Sequence, residues 1–113
     1  MPAQIQNLVI DQGATYQTVI QLNDANGNPI PLTGYTGNSE IRHHYSSMNA
    51  AASFTVDVVA NVGQIILSLT ANATANLYGP ARYVYDVFVT DPSGNVSRVV
   101  EGQVTVTPSV THA

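Results

Sequence analysis

The sequence predicts a small all-β domain, an immunoglobulin-like sandwich of about seven short strands. Three observations carry that expectation. Apolar residues recur with a period of two along nearly every segment. Clusters of Asn, Gly, Asp and Pro punctuate the chain roughly every 8–12 residues. Only one short segment, ahead of the penultimate strand, has helical character. At 113 residues, the chain is the size of one domain. Residues 1–113 are read as that domain, with 108–113 a mobile arm that orders on a partner, because Pro108 opens it and few apolar residues follow.

In "TYQTVIQL", Tyr16, Thr18, Ile20 and Leu22 share one face and Thr15, Gln17, Val19 and Gln21 the other, a strand with one buried side. "NDANGN" is a turn, with Asn26-Gly27 supplying its positive-φ positions. Pro29 and Pro31 exclude a central strand in "PIPLTGY". That segment is expected to cross over extended, anchoring Ile30 and Leu32 in the core. "GNSEIRHHY" is a more polar strand, with Ser39, Ile41 and His43 on one face and Glu40, Arg42 and His44 on the other. "SSMNAAAS" is a loop. In "SFTVDVVA", Phe54, Val56 and Val58 point inward, and after a turn at Asn61-Val62-Gly63 the return strand buries Ile65, Leu67 and Leu69.

Thr70 is placed to cap a helical turn over roughly Ala71 to Leu77, ended by Gly79, with Ala73 and Leu77 closing one end of the core. A long hairpin follows. On its first strand, Tyr83, Tyr85, Val87 and Val89 line one face and Val84, Asp86, Phe88 and Thr90 the other. Asp91-Pro92-Ser93-Gly94-Asn95 is the turn. On the return, Val96, Arg98, Val100, Val104 and Val106 alternate with Ser97, Val99, Glu101 and Gln103, and Gly102 is expected to mark a bulge. Val84, Phe88 and Val99 make the second face partly apolar, which implies a cover from another chain. A short helix before a strand starting "ARY" resembles the corner of an immunoglobulin-like domain, where a tyrosine hydroxyl ties a loop to the backbone. Tyr83 is the candidate for that role; the alternative is a tyrosine lining the core.

Composition restricts the function. There is no cysteine, hence neither a disulfide nor a cysteine zinc site. Charged residues make up only 9% of the chain, against roughly 25% in a typical domain. There is no lysine, and Arg42, Arg82 and Arg98 face seven carboxylates, a net charge of −4. Phosphate binding needs a basic surface, so nucleic acid is not an expected partner. Nor is a membrane, since no apolar run approaches the ~20 residues that span a bilayer. "MPAQIQNLVIDQG" lacks the basic start and apolar run of a secretory leader.

Catalytic patterns are weak. His43 and His44 are adjacent on a strand and so point to opposite faces, and the third histidine, His112, lies in the tail. Glu40 and His44 share a face and suit an electrostatic pair. No serine sits in a nucleophile elbow. Asp57, Asp86 and Glu101 are candidates to approach one another across strands as paired carboxylates do in glycosidases, though their spacing does not demand it. No enzyme activity, cofactor or metal is expected. Six tyrosines leave a sugar-binding platform open as an alternative.

Four blocks in order carry a resemblance: "IDQGATYQTVIQLNDANGNPIPLTGYT", "IRHHYSS", "LSLTANATANLYGPARYVYDV" and "VSRVVEGQVTVTPSV". Together they resemble small virion structural proteins of tailed bacteriophages. The amino-terminal third is similar to the amino-terminal domain of siphophage upper baseplate proteins. The resemblance implies architectural roles. Gly13 and Gly27 permit turns, and Leu32, Gly34 and Tyr35 hold the crossing. Tyr83, Tyr85, Asp86 and Phe88 on the penultimate strand, with Arg98 and Glu101 on the last, are interface candidates, Arg98 pairing with Asp86 if the hairpin register allows. The implied function is that of a non-catalytic tail, neck or baseplate adaptor in the virion. Its partners would be other virion proteins and copies of itself. A capsid cement protein is the alternative and a carbohydrate-binding module a further one. The chain has no fibre or receptor-binding portion beyond the one domain, so a direct role in host recognition is not implied.

Overall fold

Alternating apolar residues sort the strands into two sheets that close on a shared core. The structure, a computed structural model, describes residues 4–44, 50–77 and 81–110. The larger sheet contains β1 (Gln4–Ile5), β2 (Leu8–Asp11), β4 (Thr36–Arg42), β5 (Ala52–Ser53), β8 (Ala81–Thr90) and β9 (Val96–Thr107), in the order β1-β9-β8-β4-β5 with β2 also on β9. The smaller sheet is β3 (Tyr16–Gln21), β7 (Gln64–Leu69) and β6 (Thr55–Val59), in the order β3-β7-β6. The domain is therefore a β-sandwich. From β3 onward its strand order is compatible with the immunoglobulin-like arrangement, in which strands B, E and D face strands C, F and G.

The inward positions are the ones the alternation selects. Ile20, Ile41, Ile65, Leu67, Val87 and Val104 are fully buried, each contributing roughly 1.5–3 kcal/mol of apolar transfer on burial. The chain changes sheets at Phe54, whose backbone N–H donates to the Ser39 carbonyl at 3.0 Å as β5 leaves β4 and becomes β6. Leu32 is buried in the extended crossing and the Tyr35 N–H closes on its carbonyl at 3.0 Å. A side chain at Gly34 would press on the Pro92 ring, so the crossing lies directly against the hairpin turn.

The helical turn α1 (Ala71–Ala75) forms where expected, with the Thr70 hydroxyl oxygen accepting from the Ala73 N–H at 3.2 Å. Its predicted end at Gly79 lies outside the described residues. Thr74 is fully buried; its hydroxyl accepts from the Gly13 N–H at 3.1 Å and lies 2.8 Å from the Ala14 carbonyl it donates to. Gln12 donates to the Leu77 carbonyl at 2.7 Å. The β2–β3 loop is thus latched onto α1. Gly13 and Gly27 adopt φ of 86° and 83°, as their turns require.

The structure corrects or adds to the expectations at three points. First, two short strands precede β3, where the sequence pattern assigned none. β1 and β2 run parallel to β9 in one register, Gln4 opposite Val100 and Leu8 opposite Val104. Between them the ladder continues through the Gln6 N–H donating to the Glu101 carbonyl and, where backbone pairing lapses, through the Gln103 N–H donating to Asn7 Oδ1, both at 3.0 Å. Second, the bulge is not at Gly102. Val87 pairs with Val100 and Phe88 with Arg98, so Val99 is the extra residue, and it turns inward rather than outward. Gly102 serves close approach instead: a methyl there would overlap the Gln6 carbonyl oxygen. Third, Tyr85 ties remote backbone, its hydroxyl donating to that same Gln6 carbonyl at 2.6 Å. Tyr83 is buried in the core beneath the His43 ring, centroids 4.5 Å apart. In the carboxy-terminal arm, the Ser109 N–H donates to Gln12 Oε1 at 3.2 Å, and residues 111–113 lie outside the described residues.

Candidate functional site: the outer face of the larger sheet

Strand register decides which side chains meet on the outer face. Glu40 stands opposite Asp86 across β4–β8, and Asp86 opposite Glu101 across β8–β9. Three carboxylates therefore form a row across adjacent strands, flanked by Arg42 opposite Val84 and by Arg98 opposite Phe88. Arg82, opposite Thr105, occupies the same face. Ile5 extends the carboxylate row onto β1, being opposite Glu101. Ile5, Val9, Phe88 and Val96 are exposed there.

The Val99 bulge makes the face what it is. In a regular strand, residues 98 and 101 point to opposite sides. The extra residue restores them to the same side, and Arg98 Nη2 reaches Glu101 Oε2 at 2.7 Å. The expected Arg98–Asp86 ion pair is therefore replaced by Arg98–Glu101. Likewise Glu40 Oε1 pairs with Arg42 Nη2 at 3.0 Å. Asp86 lies between the two pairs. Partial burial raises its carboxyl above the ordinary range, Arg98 and Arg42 oppose that, and Glu40 and Glu101 reinforce it.

Of the sequence-derived interface candidates, Asp86, Phe88, Arg98 and Glu101 come together on this face. Tyr83 and Tyr85 do not: they point into the core, and burial, with a smaller contribution from Tyr16, raises the Tyr85 hydroxyl well above the ordinary tyrosine range. Leu32, Gly34 and Tyr35 hold the crossing near the hairpin turn, away from the carboxylate row. Asp57 is on the outer side of the smaller sheet, opposite Ile66, so the proposed cluster of Asp57 with Asp86 and Glu101 does not form. Glu40 and Arg42 were not singled out for this face, because only the β4–β8 register brings them to Asp86.

The face is open. A depression of about 100 Å³ lies beside Glu40, Arg42, Val84 and Asp86, and a wider one of about 310 Å³ over Asn38, Ser39 and Ser53 at the β5 edge. Among the described residues, no group of three His, Cys, Asp or Glu is placed to hold a metal ion. The four described tyrosines, Tyr16, Tyr35, Tyr83 and Tyr85, are buried or half-buried and form no exposed platform; Tyr45 and Tyr78 lie outside the described residues. What the face offers is alternating charge around exposed apolar side chains. Comparison with known proteins finds no matching family model and no matching curated sequence.

Proposed function

We propose that the chain is a non-catalytic structural protein of a tailed-phage virion, acting as an adaptor in the tail, neck or baseplate through protein–protein contacts. The observation that carries this reading is the outer face of the larger sheet. In a chain with few charges, Phe88 and Val96 are exposed among three arginines and three carboxylates. The four blocks of the phage resemblance support it, three of them occupying joints of the fold: the turn and crossing, the capped helical turn, and the closing strand. The mechanism is cohesion. Apolar contact contributes roughly 25 cal/mol per Å², reduced by the cost of association, and repetition around a symmetric particle multiplies it.

A capsid cement protein is the second reading, favoured by the outer face of the smaller sheet. Across its outward positions Gln17, Val19, Gln21, Gln64, Ile66 and Val59, Asp57 brings the one charge. Quantitative mass spectrometry of purified particles tests both. A copy number of about six, twelve or a few tens supports the adaptor, and hundreds support the cement protein. Absence from the particle overturns the virion reading.

A further inference from the structure

All three arginines of the chain, Arg42, Arg82 and Arg98, lie on the outer face of the larger sheet, where Glu40, Asp86 and Glu101 balance them. The remaining carboxylates are Asp11, on the same face but at the far corner of β2 beyond Arg82, Asp24 and Asp91 in turns, and Asp57 on the smaller sheet, and these four carry the net charge of −4. Two copies meeting through other surfaces bring acid to acid with no cation between them. This face alone carries both signs, so it alone is complementary to itself.

We propose that it is a two-fold interface between two copies of the chain, packed face to face with their strands antiparallel. The carboxylate row selects the axis. An axis running along the strands through β8 would set Glu101 against the partner's Glu40, like against like. An axis running across the strands, between the Glu101–Asp86–Glu40 row and the Arg98–Phe88 row, sets Arg98 against the partner's Glu101 and Glu101 against the partner's Arg98. The two Phe88 rings then flank the axis. Three like charges side by side across neighbouring strands cost stability in an isolated domain; the opposing arginine offsets that cost at Glu101, while Asp86 and Glu40 come to face the partner's Phe88 and the partner's Asn38. At strand and residue spacings of about 4.8 and 3.4 Å, the rows from Arg82 to Thr90 across five strands span roughly 20 by 30 Å, or about 600 Å² per partner. That is the lower end of specific interfaces.

This inference rests on the reading of the face as a contact surface and adds the identity of the partner. Sedimentation velocity over a concentration series tests it. Wild-type protein is expected to pass from the 12.0 kDa chain to twice that mass, with dimerisation weakened by salt. Arg98→Glu and Glu101→Arg, each checked for folding by circular dichroism, are each expected to weaken self-association roughly a hundredfold through like-charge contact. Mixed in equal amounts, they are expected to recover a heterodimer, because one copy then presents two acids and the other two bases. Phe88→Ser, at an exposed position, gives an independent loss if either charge variant misfolds. A wild-type chain that stays monomeric, or a dimer indifferent to these changes, overturns the proposal. If the wild type is monomeric but Phe88→Ser is still lost from particles, the contact surface stands and the second copy as its occupant fails. If the dimer forms but the chain is absent from particles, the dimer stands and the virion reading fails.

Discussion

Gly102→Ala tests the tightest joint of the domain. Gly102 sits opposite Tyr85 on β9, and its missing side chain leaves room for the Gln6 carbonyl, which accepts the Tyr85 hydroxyl at 2.6 Å. An alanine methyl occupies the space of that carbonyl oxygen, so the β1–β2 junction must retreat by about 1 Å to reach ordinary C···O contact. A 2.6 Å hydrogen bond does not survive such a displacement. The neighbouring bonds from the Gln6 N–H to the Glu101 carbonyl and from the Gln103 N–H to Asn7 Oδ1, both 3.0 Å, are strained with it. Losing one to three bonds at about 1 kcal/mol each, less about 0.5 kcal/mol regained from replacing glycine in a strand, leaves a net loss of about 0.5–2.5 kcal/mol. For a domain of this size that is a fall in Tm of about 2–10 °C. Differential scanning calorimetry reads the fall, and hydrogen exchange should show the Gln6 and Gln103 amides losing protection before the β8–β4 ladder does. A Gly102→Ala protein as stable as wild type, with those amides still protected, would refute the close-approach argument.

Two other substitutions probe different joints. Thr74→Val keeps the shape of a fully buried side chain but leaves the Gly13 N–H and Ala14 carbonyl without their partner. The expected cost is about 2–3 kcal/mol, read as a lower urea midpoint; an unchanged midpoint would show that the latch contributes nothing. Asp86→Asn acts in the opposite direction. The Asp86 carboxyl is raised in the folded state, first by burial, so its ionisation costs folding free energy. That cost is absent below the ordinary carboxyl range, grows as pH rises through that range to the folded pKa, and stays constant above. Dilute Asp86→Asn protein should be about 0.5 kcal/mol more stable than wild type at neutral pH, and the advantage should vanish near about pH 3. A variant less stable than wild type at neutral pH would contradict this.

The inner faces of β3, β6, β7 and β8 were legible because each keeps strict alternation with one side buried, and a period of two leaves a single assignment. The Thr70 cap was legible because its chemistry is local. The final strand was not. Val96, Val99, Val100, Val104 and Val106 place valine on both parities, so an extra residue at Val99 leaves no trace in the pattern, and the faces of Val96, Arg98 and Val99 come out inverted. The "LVID" alternation of Leu8 and Ile10 does mark a strand, but its partner lies 96 positions along the chain, beyond any local signal. The carboxylate row is of the same kind. Glu40, Asp86 and Glu101 are separate in sequence, and only the registers of β4–β8 and β8–β9 align them.

The parallel pairing of β1 and β2 with β9 has a mechanical consequence. Gln4 lies beside Val100 and Asp11 beside Thr107, so the chain enters the terminal ladder at one end and leaves it at the other. Tension applied between the two ends pulls these strands past each other lengthwise. The rungs lie across the pulling direction and share the load together, in shear, where an antiparallel hairpin pulled from its open end would unzip rung by rung. The Tyr85–Gln6 bond at the middle of that ladder works as a cross-pin against the sliding.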